Sequence, residues 1–271
     1  FVFAAVVGRE IIAGSNVRNA PVLVLLTVLG SANVLSHLRS VDPDLALLGE
    51  RIGIAVVATL VALIGGRIVP SFTRNWMAKR KLTPEPASPS RFDAVALSVG
   101  AIGLGIWAIS PELYAAGLAL TLAGALHFVR LARWRGWRTT VEPLVLILHL
   151  GYFWLALGLC LKGLAILAPS VVPAASGLHA ITAGAFGVMT LSVMTRASLG
   201  HTGQPLAATP RISAIYVLVN LGALVRVAAP FLAEHYTLLV ALSAVLWSGA
   251  FAWFAIVYAP LLLRPRQASA G

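Results

Sequence analysis

Six histidines are the residues of this 271-residue chain best suited to chemistry: His37, His127, His149, His179, His201 and His235. A neutral imidazole binds metals readily and serves as an axial ligand to haem iron. Cys160 is the single cysteine and sits in an apolar run, so a disulfide scaffold is excluded. His149 is followed by Tyr152 and Phe153 at i+3 and i+4, on the same helical face. That setting suits a haem ligand, and equally a histidine bonded to a neighbouring helix. From His179 one face continues through Ala183, Phe186 and Thr190. Small residues beside an imidazole leave room for a flat macrocycle, or for another helix. His37 and His235 fall at the same level as His179, and His235 is equally well read as solvated. His127 and His201 sit beside arginine-rich segments, where a lone interfacial histidine is ordinarily structural. Met189 and Met194 are soft enough for copper. Five residues set them about 140° apart around a helix, which makes core packing their plainer role.

The elements that must position these side chains follow from composition. Hydrophobic residues make up 59 % of the chain and charged residues 11 %, with a mean hydropathy of +0.90. Soluble domains carry about 25 % charge, so a soluble enzyme and a disordered protein are both excluded. A spanning helix needs about 20 mostly apolar residues. Eight windows qualify: 20–38, 52–69, 93–110, 112–129, 142–164, 177–198, 212–230 and 236–260. Residues 1–8 read as the tail of another spanning helix, so the chain reads as a fragment. No window alternates as a strand does, which disfavours a membrane barrel. The fold class expected is therefore all-α: a polytopic membrane helix bundle of eight full transmembrane helices plus an N-terminal stub. It forms one transmembrane domain over 1–271.

Cations orient the bundle. Arg and Lys crowd the connections 70–92 and 130–140, Arg196 and Arg211 flank 199–211, and Arg264 and Arg266 lie in the C-terminal tail. By contrast 39–51, 110–112, 165–176 and 230–235 are poor in them, Arg39 and Arg51 being the exceptions. The positive-inside rule places the first set in the cytoplasm. Residues 82–92, rich in Pro and Ser, are expected to be an exposed linker on that side. The formal charge of +11 is thus an orientation signal, and no nucleic-acid partner is expected. Arg130, Arg133, Arg135 and Arg138, interleaved with Trp134 and Trp137, read as a belt for anionic lipid. Lys162 and Arg226, near outer helix ends, can snorkel. Haem propionates are an alternative partner for any of these cations. If both helices span normally, His149 and His179 differ in depth by roughly 15–20 Å, too far to share one iron. Phosphate-binding loops, His-Glu-x-x-His and nucleophile elbows are missing, and no catalytic signature is recognised.

Five stretches carry a family resemblance: NAPVLVLLTVLGSANVL (19–35), GGRIVPSFTRNW (65–76), ALHFVRLARWRGWRT (125–139), LHLGYFW (148–154) and GLHAITAGAFGVMTLSVMTRASLGHTGQP (177–205). Together they resemble the NnrS family of bacterial inner-membrane proteins. The resemblance implies a bundle of about twelve helices, of which this chain would be the C-terminal two-thirds. It implies haem and copper as cofactors and a role in denitrification and the response to nitric oxide. His37, His127, His149, His179 and His201 lie within the similar stretches, and all five are candidate cofactor-binding residues. His149, His179, His37 and His201 are the candidate metal ligands. The expected partners are the lipid bilayer, nitric oxide and respiratory electron donors. Two further readings stand beside this one. A transporter or metal-handling permease would show helices broken near midplane, and a non-catalytic partner of respiratory complexes would hold no metal of its own.

Overall fold

The computed structural model describes residues 1–263; Arg264 and Arg266 of the tail lie outside the described residues. A short helix α1 (Val2–Ala13) precedes α2 (Ala20–Ser36), α3 (Pro43–Lys79), α4 (Arg91–Ile109), α5 (Tyr114–Arg133) and α6 (Pro143–Leu167). Then come α7 (Ala174–His179), a π-helical segment (Ala180–Phe186) and α8 (Gly187–His201), which run on without a break. Helices α9 (Pro210–Ala228) and α10 (Tyr236–Leu262) complete the bundle. Eight helical runs are long and apolar enough to cross a membrane, with Ala174–His201 counting as one. The protein is a multi-pass all-helical membrane protein, as the windows predict.

Local chemistry sets the helix starts. Asp42 accepts the Leu45 amide at 3.0 Å, and Pro43 fills the first position, where a missing N–H costs nothing. Ser90 and Asp93 close a capping box on α4, and Thr209 caps α9 ahead of Pro210. One boundary differs from the sequence reading. Helix α3 is 37 residues long, about 55 Å at helical rise, and absorbs half of what was expected to be a basic loop. Its last turns carry Arg74 and Lys79, so helix persists beyond the apolar window where lysine and arginine reach water. The 82–90 connection is mostly exposed but tied down. Pro86 is buried, the Ala87 amide donates to the Arg133 carbonyl at 3.1 Å, and Arg138 donates to the Thr83 carbonyl at 3.0 Å.

Helix α6 is the axis of the bundle. It is 67 % buried over its apolar window, against 6 % for Val17–Ser36 and 17 % for Ala233–Leu262, so those two helices lie at the outside of the described bundle. Helices α3, α5, α7, α8 and the π segment all pack on α6. Apolar side chains gain nothing by leaving lipid for protein, so close packing of small residues has to hold such helices together. The α5–α6 crossing shows how tight this is. A Cβ at Gly124 would fall 2.3 Å from the Cys160 sulfur and 2.7 Å from the Ala156 carbonyl oxygen.

Candidate functional site

Two regions carry the chemistry, an open recess at one end of the bundle and a buried network at the other. The first is a recess of ≈ 780 Å³ between the π segment, α8, α9 and α10. His179, Ala183, Phe186 and Thr190 line it together, so the face read from their spacing is one wall of a real cavity. Arg226 from α9 faces the same space, and α10 supplies Trp247 and Phe251. Helical spacing on α7–α8 can reveal only the first wall, because the second comes from sequence some 40 to 70 residues away.

The π segment starts one residue after His179. Such a segment widens the helix by a residue per turn and leaves its carbonyls less regularly paired. Here the Ala183 carbonyl accepts Trp247 Nε1 at 3.1 Å, which ties the widened turn to α10. On its other side Gly184 packs against Trp154, where a Cβ would lie 2.8 Å from the ring. Trp154 is itself held by Nε1 donating to Asn220 Oδ1 at 2.9 Å. Two anchored tryptophans thus fix the stretch that presents His179.

The second region lies beneath the basic end. Arg130 is buried and donates Nε to Asp93 Oδ1 at 2.8 Å, with side-chain exposures of 4 % and 12 %. Its Nη1 donates to the Ala62 carbonyl at 3.1 Å and to the Tyr152 hydroxyl at 2.7 Å. His127 Nδ1 sits 2.7 Å from that hydroxyl. Trp134 meets Tyr152 edge-on, with ring centroids 4.6 Å apart. Nearby, His149 Nε2 lies 2.8 Å from Thr73 Oγ1. His127 Nε2 and His149 Nδ1 are buried without hydrogen-bond partners.

Three readings change here. Arg130 does not join the lipid belt, because a buried carboxylate and a phenol draw it inward. His127 is wholly buried, not interfacial. Lys162 does not snorkel either; it is 8 % exposed, with Nζ 5.2 Å from the centroid of Trp107. Asp93 escaped notice because its place at a helix start gives it a capping role that already accounts for it.

The remaining histidines stand apart. His37 is exposed, with Nδ1 2.7 Å from the Asn33 carbonyl oxygen, and His201 and His235 are exposed as well. Among the described residues no three His, Cys, Asp or Glu side chains converge as a metal site would require. Methionine is a different matter. Met189 and Met194 both line a second recess of ≈ 330 Å³ against α3, which shares Phe186 and Thr190 with the first.

The fold and site together define a multi-pass helical membrane protein with one imidazole-bearing cavity and a separate buried ionic network. The chain belongs to the NnrS family: the family model described as NnrS protein matches residues 1–266. Comparison with curated proteins and with solved structures returned no match.

Proposed function

We propose that this protein is a haem-binding protein of the bacterial inner membrane that meets nitric oxide within the bilayer, with His179 as the haem ligand. The observation that carries the reading is the ≈ 780 Å³ recess lined by His179, Arg226, Trp247 and Phe251. Cofactor and ligand sites span about 300–1,000 Å³, mostly apolar with a few placed polar groups. A haem site can be built from an axial imidazole, a cation beside the propionates and apolar walls. This recess supplies an imidazole, a cation and aromatic walls, so the residues fit the group. When bound, haem would supply iron-centred chemistry toward small diatomic ligands.

The protein's own share is positional. The tryptophan-anchored π segment holds the imidazole, and Arg226 offers the counter-charge. Phe186, Trp247 and Phe251 exclude water. Nitric oxide is small and apolar, so it partitions into lipid and reaches such a site without a pore. The described residues do not assemble a copper set from His, Cys, Asp and Glu, so no step is drawn through copper. His37, His127, His149 and His201 take second place to His179, since they do not line this recess. Respiratory electron donors, and a cytoplasmic position for the basic end, belong to the same proposal.

The test is an optical spectrum of the purified protein with haem content measured in parallel. His179→Ala should abolish the Soret band of bound haem, and Arg226→Gln should weaken haem retention. His201→Ala, at an exposed position, should leave both unchanged. Wild-type haem content and spectrum in His179→Ala would sink the assignment.

A further inference from the structure

A third recess, of ≈ 460 Å³, opens at the basic end of the bundle where α8, α9 and α10 meet. It has two kinds of wall. Leu199, Val257 and Leu261 are apolar, whereas Gln204, Arg211 and Tyr258 are polar. Two features of the polar wall are unusual. Tyr258 is 1 % exposed, yet its hydroxyl has no hydrogen-bond partner. Leaving a buried hydroxyl unpaired is unfavourable, and such groups are rare in folded proteins. The Arg211 carbonyl accepts Trp253 Nε1 at 3.1 Å, which pins that backbone to α10. Its guanidinium makes no ion pair or hydrogen bond among the described residues. The backbone is held and the charge left available.

We propose that this recess binds the phosphate headgroup of an anionic phospholipid. Arg211 supplies the counter-charge, while the Gln204 amide and the Tyr258 hydroxyl supply donors. Val257 and Leu261 on the outer helix α10 guide the first carbons of an acyl chain. Charge and position favour a lipid over a soluble anion. The site lies where three helix ends leave the apolar zone, and basic pockets between helices at that level suit anionic headgroups. Its apolar walls would be wasted on inorganic phosphate. The proposal is independent of the haem reading, since the two recesses share no lining residue.

The experiment counts lipid retained by the full chain in native mass spectrometry after detergent washing. Phosphatidylglycerol, phosphatidylcholine and inorganic phosphate are the probes. Wild type should keep one phosphatidylglycerol through washes that strip phosphatidylcholine. Arg211→Gln should weaken that binding roughly fivefold, and Arg211→Lys should largely restore it. Tyr258→Phe separates a ligand-directed hydroxyl from a structural one. It should lower lipid retention while the delipidated protein melts at the same temperature or higher, because an unpaired group has been removed. Equal retention of the two lipids would overturn the proposal. So would wild-type binding by Arg211→Gln, or lost stability with intact retention in Tyr258→Phe. Displacement of the lipid by millimolar inorganic phosphate would overturn the lipid assignment in favour of a free-anion site.

Discussion

Asp93→Asn removes the charge of the buried Asp93–Arg130 pair together with one of the two carboxylate oxygens. Asn retains an oxygen for the Ser90 amide, which Asp93 accepts at 2.9 Å, so the α4 cap survives. What is lost is the counter-ion of a guanidinium only 4 % exposed. Removing one partner of a buried pair costs roughly 3–5 kcal/mol, because the other charge stays uncompensated. Arg130 keeps its bonds to the Ala62 carbonyl and the Tyr152 hydroxyl, so about 3 kcal/mol is expected, the low end of that range. Arg130→Met alone should cost less, about 1–3 kcal/mol, since Asp93 keeps Arg133 at 3.5 Å and the Ser90 amide while the Ala62 carbonyl and the Tyr152 hydroxyl lose their donor. The double variant should lose less than the sum of the two singles, because it leaves no uncompensated guanidinium beside the lost carboxylate. Equilibrium unfolding in mixed detergent micelles, with tryptophan fluorescence as the probe, measures all four corners of the cycle. Two results would refute the reasoning: single variants within about 0.5 kcal/mol of wild type, or a double variant whose loss is the sum of the singles.

Two further substitutions probe packing and burial by the same unfolding measurement. Gly124→Ala forces a methyl against the Cys160 sulfur and the Ala156 carbonyl and should cost about 1–3 kcal/mol. Gly105→Ala, with nothing within 4 Å of the new Cβ, should be neutral or slightly stabilising. Lys162→Met removes a buried cation that has no carboxylate within 4.0 Å among the described residues, at the loss of one contact with Trp107. Stability should stay level or rise, since desolvating an unpaired ammonium outweighs a cation–π contact of about 2 kcal/mol. A clear fall would show that Lys162 holds the fold.

The spans were legible because a bilayer imposes one demand, length of apolar run, that composition meets without tertiary information. The end of α3 was not, because charged residues past the hydrocarbon are compatible with helix and loop alike. One wall of the haem-sized recess was legible at His179, Ala183, Phe186 and Thr190, since helical spacing survives translation into structure. Arg226 and Trp247 were not, because which helix faces that wall is a property of packing. Arg130 shows the deeper limit. An arginine near a helix end can reach water or turn inward, and its choice depends on Asp93 lying 37 positions earlier. Nothing local distinguishes it from Arg135 or Arg138.

His149 offers a last case in which counting protons decides more than distance does. The Thr73 hydroxyl carries one proton, and its oxygen lies 2.8 Å from both the Val69 carbonyl oxygen and His149 Nε2. A carbonyl cannot donate, so giving that proton to Val69 and accepting from an Nε2–H satisfies both contacts at once. The tautomer is thereby assigned from the network. It leaves Nδ1 as a bare lone pair against Gly136, where a Cβ would sit only 2.6 Å away. Nitrogen-15 resonances of labelled histidine should therefore show a buried ring protonated at Nε2 and bare at Nδ1. Thr73→Val removes the acceptor and strands a buried donor, which should cost about 1–3 kcal/mol. Thr73→Ser should keep the tautomer, because the hydroxyl remains. A wild-type ring protonated at Nδ1 would overturn the assignment. The same spectrum tests His149 as a metal ligand, since a metal at this ring would have to take Nδ1, and only that resonance should move on loading.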